Sequence, residues 1–220
     1  MSSQQNRIMK LTGIVFKDFW KSHIRMLGML VQGLLLSRQA GIAAIGRHLP
    51  TSVSPKHNIK RVDYFLGRSK VDVLDSAQAL AHWLVGNRQE VYISVDWTKV
   101  KAWSVLVATI VYRGRSFPIF WAAMDHCRVS KSWNHFEHTF FQLLKIHVLP
   151  KNRHYIVIAD RGFKRIRLMQ QLHDLGFSYV VRTGGNTYVN HPKYKGTMKV
   201  GIRTMLITKK QNNSHVKSRP

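Results

Sequence analysis

Tyr155-Ile156-Val157-Ile158-Ala159-Asp160-Arg161-Gly162-Phe163 is the stretch that decides how this chain is read. An apolar run leads straight into a carboxylate, and a glycine follows. A short run of this kind, rich in β-branched residues and bounded by turn signals, is a buried strand. An earlier run, Tyr92-Ile93-Ser94-Val95-Asp96, has the same shape. Two aspartates at the tips of two buried strands look like half of a metal site for phosphoryl transfer on nucleic acid. A two-metal site of this layout needs a third carboxylate further along, yet no Asp or Glu follows Asp174.

Working outward from these runs, the chain after Glu90 has the texture of strands. Val91 to Trp97 is the first, Val105 to Tyr112 the second and Phe117 to Met124 the third. Arg113-Gly114-Arg115 reads as a tight hairpin turn. Ser130 to Ile146 reads as an amphipathic helix with Trp133, Phe136, Phe140, Leu143 and Leu144 inward. Strand four is Tyr155 to Asp160. A helix from about Phe163 to Leu175 follows, with Phe163, Ile166, Met169 and Leu172 facing the core. Strand five is Ser178 to Arg182, and Gly184-Gly185-Asn186 is a turn. Three antiparallel strands followed by alternating helices and parallel strands form the ribonuclease-H-like layout, in which strands one and four lie side by side. That would bring Asp96 and Asp160 together. From Thr187 on, Tyr188-Val189 and Met198 to Thr208 are short strand-like pieces. Lys209 to Pro220 holds one aliphatic residue, Val216, and is expected to fray.

The first 89 residues read as helical. Phe16, Phe19 and Trp20, then Met26, Leu27, Leu30, Val31, Leu34 and Leu35, recur at helical spacing. Arg38 to Arg47 is a short helix of small residues, which Pro50 ends. Ser54-Pro55 is a good helix start, with Ser as N-cap and Pro in the first turn. The helix from Lys56 to Leu66 has Ile59, Val62 and Leu66 on one face and Lys56, Lys60 and Arg61 on the other. A small-residue helix, a turn and a basic helix give the order of a helix-turn-helix reader, and equally of any small helical bundle. A third helix, Val73 to Val85, closes the segment before Gly86-Asn87. The organisation is therefore a helical DNA-binding region over residues 1–89 and a ribonuclease-H-like α/β core over 90–185. The start of a β insertion and a frayed tail follow over 186–220.

Charge narrows the partners. The 220 residues carry 35 Lys and Arg against 10 Asp and Glu, a net charge of +25. Polyanions are the natural partners of such a surface, and nucleic acid fits charge spread along the whole chain better than a membrane surface does. Hydrophobic residues make up 45%, enough for a real core. The single cysteine, Cys127, excludes a disulfide framework and a cysteine-based zinc site. Leu27 to Ser37, the longest uncharged apolar stretch near the N-terminus, is about half the ~20 residues a membrane helix needs. A cytoplasmic, nucleoid-associated protein with no membrane contact is the expectation.

Phosphodiester chemistry needs an activated oxygen nucleophile and stabilisation of a charged transition state. Two Mg²⁺ or Mn²⁺ ions ~4 Å apart supply both, and such hard cations prefer carboxylate oxygens. Asp96 and Asp160 are the candidate ligands; a strand-end cap or a surface charge is the plain alternative for each. Asp125 and Glu137 are rival ligands, read otherwise as a loop charge and a solvated helix face. His126, His135 and His138 have no ligand spacing. Arg161, Lys164, Arg165 and Arg167 cluster after Asp160 as candidate phosphate contacts, or else as solvated charges. Trp97 and Trp103 read as core residues or as stacking platforms for a displaced base.

At Asp96-Trp97-Thr98 and Ala159-Asp160-Arg161-Gly162-Phe163 the chain resembles the DDE transposases of the insertion-sequence-four (IS-four) family. His57-Asn58-Ile59-Lys60-Arg61-Val62-Asp63-Tyr64-Phe65-Leu66-Gly67 is similar to that family's N-terminal segment. The resemblance covers most of residues 30 to 185. It implies metal-dependent cut-and-paste transposition, with cleavage at terminal inverted repeats and joining to target DNA. It also implies that Asp96 and Asp160 are the first two catalytic acids. The third, in this family, is the Glu of a helix with a Tyr, Arg, Glu, Lys signature beyond the β insertion. Residues 175–220 carry nine Lys and Arg and no acid. The expectation is a C-terminally truncated transposase that binds double-stranded DNA at transposon ends and target, as a homodimer or with the full-length transposase. Alone it would hold an incomplete two-ion site and be weakly active or inactive. Two further readings stand beside it. One is a non-catalytic DNA-binding repressor of transposition; the other is a ribonuclease-H-like cellular nuclease with a local third acid such as Glu137.

Overall fold

The computed structural model describes residues 3–68, 71–125 and 133–182, and the backbone of four further strands between 188 and 217. The chain divides into two compact units, Met1–Leu80 and Ala81–Pro220.

The first unit is helical. Helices α1 (Ser3–Val15), α2 (Lys21–Ser37), α3 (Ile42–Arg47) and α4 (Pro55–Arg68) precede α5 (Val73–Val85), which crosses the boundary between the units. Met26, Met29, Ile45, Leu49 and Val62 form its core, with Leu30 and Phe65 against them. Gly46 lets α3 and α4 meet: a Cβ there would lie 2.6 Å from Ile59 Cα. Asn58, 3% exposed, fixes the turn between these helices. Its amide donates to Val53 O (3.1 Å) and its carbonyl oxygen accepts from Thr51 Oγ1 (2.9 Å).

Several helical expectations are revised. The small-residue helix begins at Ile42, not Arg38, because Arg38 is the left-handed cap of α2 (φ 53°). Trp20 is an exposed residue ahead of α2, and Val31, Leu34 and Leu35 also face outward. On α4 the inward positions are Asn58, Val62 and Phe65, at i, i+4 and i+7, so Leu66 turns out of the core (57% exposed). Pro55 opens α4, and α5 spans Val73–Val85 as the spacing predicts. Asp72 caps α5, its Oδ1 accepting from the amides of Leu74 (2.6 Å) and Asp75 (3.2 Å).

The second unit is a mixed α/β layer. Strands β1 (Glu90–Val100), β2 (Trp103–Tyr112) and β3 (Arg115–Asp125) form an antiparallel meander. Arg113 (φ 48°) and Gly114 (φ 74°) make the two-residue turn between β2 and β3, where two positive φ angles match the twist of a hairpin. Helix α6 (Trp133–Leu143) ends in a π-helical turn, Leu144–Val148, and leads to β4 (His154–Ala159). A single 3₁₀ turn (Arg161–Phe163), α7 (Ile166–Asp174) and β5 (Ser178–Arg182) follow. Strands β6 (Tyr188–Asn190) and β7 (Thr197–Lys199) pair with each other; β8 (Leu206–Lys210) and β9 (Asn213–Lys217) join the main sheet. The sheet order is β3-β2-β1-β4-β5-β8-β9, with β1–β4 and β4–β5 parallel.

Side-chain alternation gives this sheet two unlike faces. Val91, Ile93 and Val95 of β1 share one face with Leu106, Ala108 and Ile110 of β2 and with Tyr155, Val157 and Ala159 of β4, all buried. Phe140 of α6 stacks on Phe120 of β3 on this face. A bulge at Ala108/Thr109 lets Ile119 and Phe120 both turn inward. The other face shows exposed Tyr92, Trp121 and Ile158.

Here too the structure changes details. Ile166 is 75% exposed, because the 3₁₀ turn resets the helical phase and Leu168 and Leu172 become the buried pair of α7. The segment expected to fray contains β9, which pairs with β8, and β8 in turn covers the edge of β5. The start of the predicted 130–146 helix, His126, Cys127 and the 184–186 turn lie outside the described residues.

Candidate active site

Register brings the two aspartates together. The β1–β4 ladder ends with Val95 opposite Ala159. Asp96 on β1 and Asp160, just past the end of β4, are the next residues. Parallel neighbours about 4.8 Å apart, at matching positions, send their side chains to the same face. That face is the one opposite the buried core, and both aspartates are exposed.

Their backbone settings differ from the sequence reading in one respect. Asp96 does not end its strand: β1 runs on to Val100, and Asp96 itself pairs with Val107 of β2. The β1–β2 ribbon therefore overhangs the end of β4. Asp160 does sit at a strand end, where it caps the 3₁₀ turn.

Each carboxylate is held by one oxygen. Asp96 Oδ1 accepts from the Trp97 amide and Asp160 Oδ1 from the Gly162 amide, both at 2.8 Å. Gly162 is needed for this fit, since a Cβ there would stand 2.9 Å from Asp160 Oδ1. The glycine of the Asp-Arg-Gly-Phe string thus has a steric reason. Phe163, 2% exposed, anchors the turn in the core.

The rival carboxylates do not join the pair. Asp125 lies opposite Trp103, which lies opposite Val100. That is two strands across, about 10 Å, and four residues along, about 13 Å, from Asp96. Glu137 is not on a solvated face: it is 1% exposed and lies beneath the sheet, on the α6 side. Its Oε1 accepts from Trp97 Nε1 (3.0 Å), and its Oε2 is bonded by the Arg165 guanidinium. Spacing along α6 carried the signal, because Glu137 is i+4 from Trp133 and i−4 from buried Phe141. Among the described residues no group of three or more His, Cys, Asp or Glu side chains converges.

The donor set fits a hard divalent cation on a limited scale. Two adjacent exposed carboxylates suit one Mg²⁺, which keeps several waters and commonly binds through one or two carboxylates plus substrate phosphate. They do not complete a two-ion site.

Of the basic residues, Arg161, Lys164 and Arg167 are exposed in the turn after Asp160 and the start of α7, whereas Arg165 turns inward to Glu137. In the helical unit Lys56, Lys60 and Arg61 lie on the exposed side of α4. Trp97 is a packing residue: its ring meets Trp133 edge-on at 4.4 Å and Phe136 at 5.5 Å. Trp103 is 52% exposed.

At the opposite end of the same strand pair lies a polar chain that the sequence did not reveal. Tyr92 OH donates to Glu90 Oε1 (2.7 Å), Glu90 Oε2 meets His154 Nδ1 (3.3 Å), and His154 Nε2 meets Ser178 Oγ (2.8 Å). The hydrogen bond to Glu90, followed by burial and the charge of that carboxylate, holds the Tyr92 phenol above its ordinary pKa.

No protein-family model matches the chain, and no curated protein matches it. Among solved structures, the Argonaute of Marinitoga piezophila in complex with 5′ OH guide RNA is a weak neighbour, at 13% identity and a TM-score of 0.25. The match covers 80% of this chain but only 31% of the Argonaute chain. A likeness that slight carries no argument about fold or activity. No helix among the described residues is long and apolar enough to cross a membrane.

Proposed function

We propose that this protein acts on DNA by phosphoryl transfer, as a transposase of the DDE class with a ribonuclease-H-like core. Asp96 and Asp160 are its first two metal ligands. The observation that carries the reading is the β1–β4 register, which ends one residue before both aspartates. From its β3 edge the sheet runs β3-β2-β1-β4-β5, which sets β1 beside β4 as such a core requires. The resemblance at Asp96-Trp97-Thr98 and Asp160-Arg161-Gly162-Phe163 supports the finer assignment to transposition.

The residues would act as follows. Asp96 and Asp160 would hold Mg²⁺ with their carboxylates, each of which the Trp97 or Gly162 amide engages at one oxygen. When bound, the cation supplies Lewis-acid stabilisation of a phosphoryl oxygen. Arg161, Lys164 and Arg167 contact the phosphate backbone beside the acids, a positioning role without base readout. Lys56, Lys60 and Arg61 give α4 a second phosphate-binding face. The net charge of +25 supports a nucleic-acid partner.

A second reading draws on a specific observation. No third carboxylate converges with the pair among the described residues, which favours DNA binding without cleavage. One experiment separates the two. The full chain is incubated with duplex DNA and Mg²⁺ or Mn²⁺, and both retention and nicking are scored. Metal-dependent nicking that Asp96→Asn and Asp160→Asn abolish supports catalysis. Retention that survives both substitutions with no nicking supports a binding role. Nicking unchanged by either substitution removes the aspartates from the chemistry.

A further inference from the structure

Glu137 is an unusual side chain for its place. It is a carboxylate on an amphipathic helix, 1% exposed, among Phe136, Phe140 and Phe141. A buried ion pair is seldom more stabilising than well-packed apolar residues of the same size. Its presence in a core this aromatic points to a geometric task.

The two oxygens of Glu137 hold two different segments, and each segment carries one of the paired aspartates. Oε1 accepts from the Trp97 indole at 3.0 Å, and the Trp97 amide in turn donates to Asp96 Oδ1 at 2.8 Å. The indole ring is gripped edge-on by Trp133 and flanked by Phe136. Oε2 takes the Arg165 guanidinium. Arg165 closes the turn that Asp160 opens: its amide donates to Phe163 O (2.8 Å), and the Phe163 amide donates to Asp160 O (3.2 Å). Arg165 Nε is buried with no partner among the described residues, so Glu137 is the group that orients this guanidinium.

We infer that Glu137 is a positioning residue for the Asp96/Asp160 pair: from beneath the sheet it clamps the segment that follows each aspartate and so sets the spacing of the two carboxylates. The inference rests on the reading of that pair as metal ligands. It assigns Glu137 no contact with the cation, since the sheet lies between them and both its oxygens are engaged. It also gives Arg165 a role distinct from its exposed neighbours Arg161, Lys164 and Arg167. Groups that orient metal ligands in this indirect way typically change metal affinity by about 10–100-fold when removed.

The test is Mn²⁺ binding by the full chain, followed by the electron paramagnetic resonance of the free ion. The variants are Glu137→Gln, Trp97→Phe and the double variant Asp96→Asn/Asp160→Asn. Trp97→Phe keeps an aromatic ring against Trp133 and Phe136 and deletes the N–H that reaches Glu137, so it decides the matter if Glu137→Gln does not fold. The expected result is a bound Mn²⁺ that the double variant loses. Glu137→Gln and Trp97→Phe should each raise Kd about tenfold with an unchanged circular-dichroism spectrum. Wild-type affinity in both single variants overturns the clamp while leaving the metal reading intact. Wild-type protein that binds no Mn²⁺, or binding that survives in the double variant, overturns the metal reading of the pair and the clamp with it.

Discussion

At one end of the β1–β4 pair a carboxylate faces an imidazole; at the other a carboxylate faces a carboxylate. Glu90 stands opposite His154 at the start of the ladder, and Asp96 and Asp160 follow its last pair, Val95 and Ala159. The two strands are the same. Only the chemistry differs. The first end closes on itself through Tyr92, Glu90, His154 and Ser178. The second leaves two like charges side by side, each held by a single backbone amide. A satisfied polar chain at one end and two like charges at the other is the contrast on which the proposed cation site rests.

The contrast can be broken most forcefully from beneath the sheet. Glu137→Ala strands the Trp97 indole and the Arg165 guanidinium together. Breaking a buried pair costs about 3–5 kcal/mol; the part-exposed arginine places the expected loss at the lower end of that range, read as a shift in urea midpoint. A loss under about 0.5 kcal/mol, the size of an ordinary surface substitution, would show that the pair holds nothing in place. Next in size is the response to metal. At a hundred times Kd, Mg²⁺ should raise stability by about 2.7 kcal/mol, and Asp96→Asn or Asp160→Asn should remove that gain. A thermal shift that persists in either variant places the cation elsewhere.

Two smaller effects should have opposite signs. His154→Ala unpairs buried Ser178 and removes one of the partners of Glu90, an expected loss of about 1–2 kcal/mol. Asp96→Asn, without divalent cations, relieves repulsion between exposed charges and should stabilise by a few tenths of a kcal/mol, about what such surface terms amount to. That gain should fade as salt is raised. Destabilisation by Asp96→Asn at low salt would mean that the open end is already neutralised within the fold.

Strand order was legible because apolar runs ending in a carboxylate mark both β1 and β4, and because the segments between them have helical spacing. The 73–85 helix and the Arg113-Gly114 turn were legible for local reasons, the Gly86-Asn87 break that stops the helix and a glycine at positive φ in the turn. The reach of β1 past Asp96 was not. Thr98 and Lys99 look like loop, and only pairing with Ser104 and Val105 on β2 makes them strand. By sequence Glu137 reads as a rival ligand or a solvated charge and Asn58 has no role, and the burial of both was missed for one reason. Polar residues at inward helical positions are assigned to solvent by composition, although their spacing from Trp133 and Val62 places them inside. What decides such cases is a partner distant in sequence: Trp97 for Glu137, or a loop folded back, as Val53 is for Asn58.

The crossing at Gly46 has a consequence for timing. With no side chain between α3 and the Ile59 backbone, the two helices mesh like gear teeth and cannot slide past one another without parting. A partner that docks on α4 therefore finds its contours already cut before it arrives. Capture by that surface would be governed by how often the two meet in the right orientation, and no slow reshaping of the helices would follow the encounter.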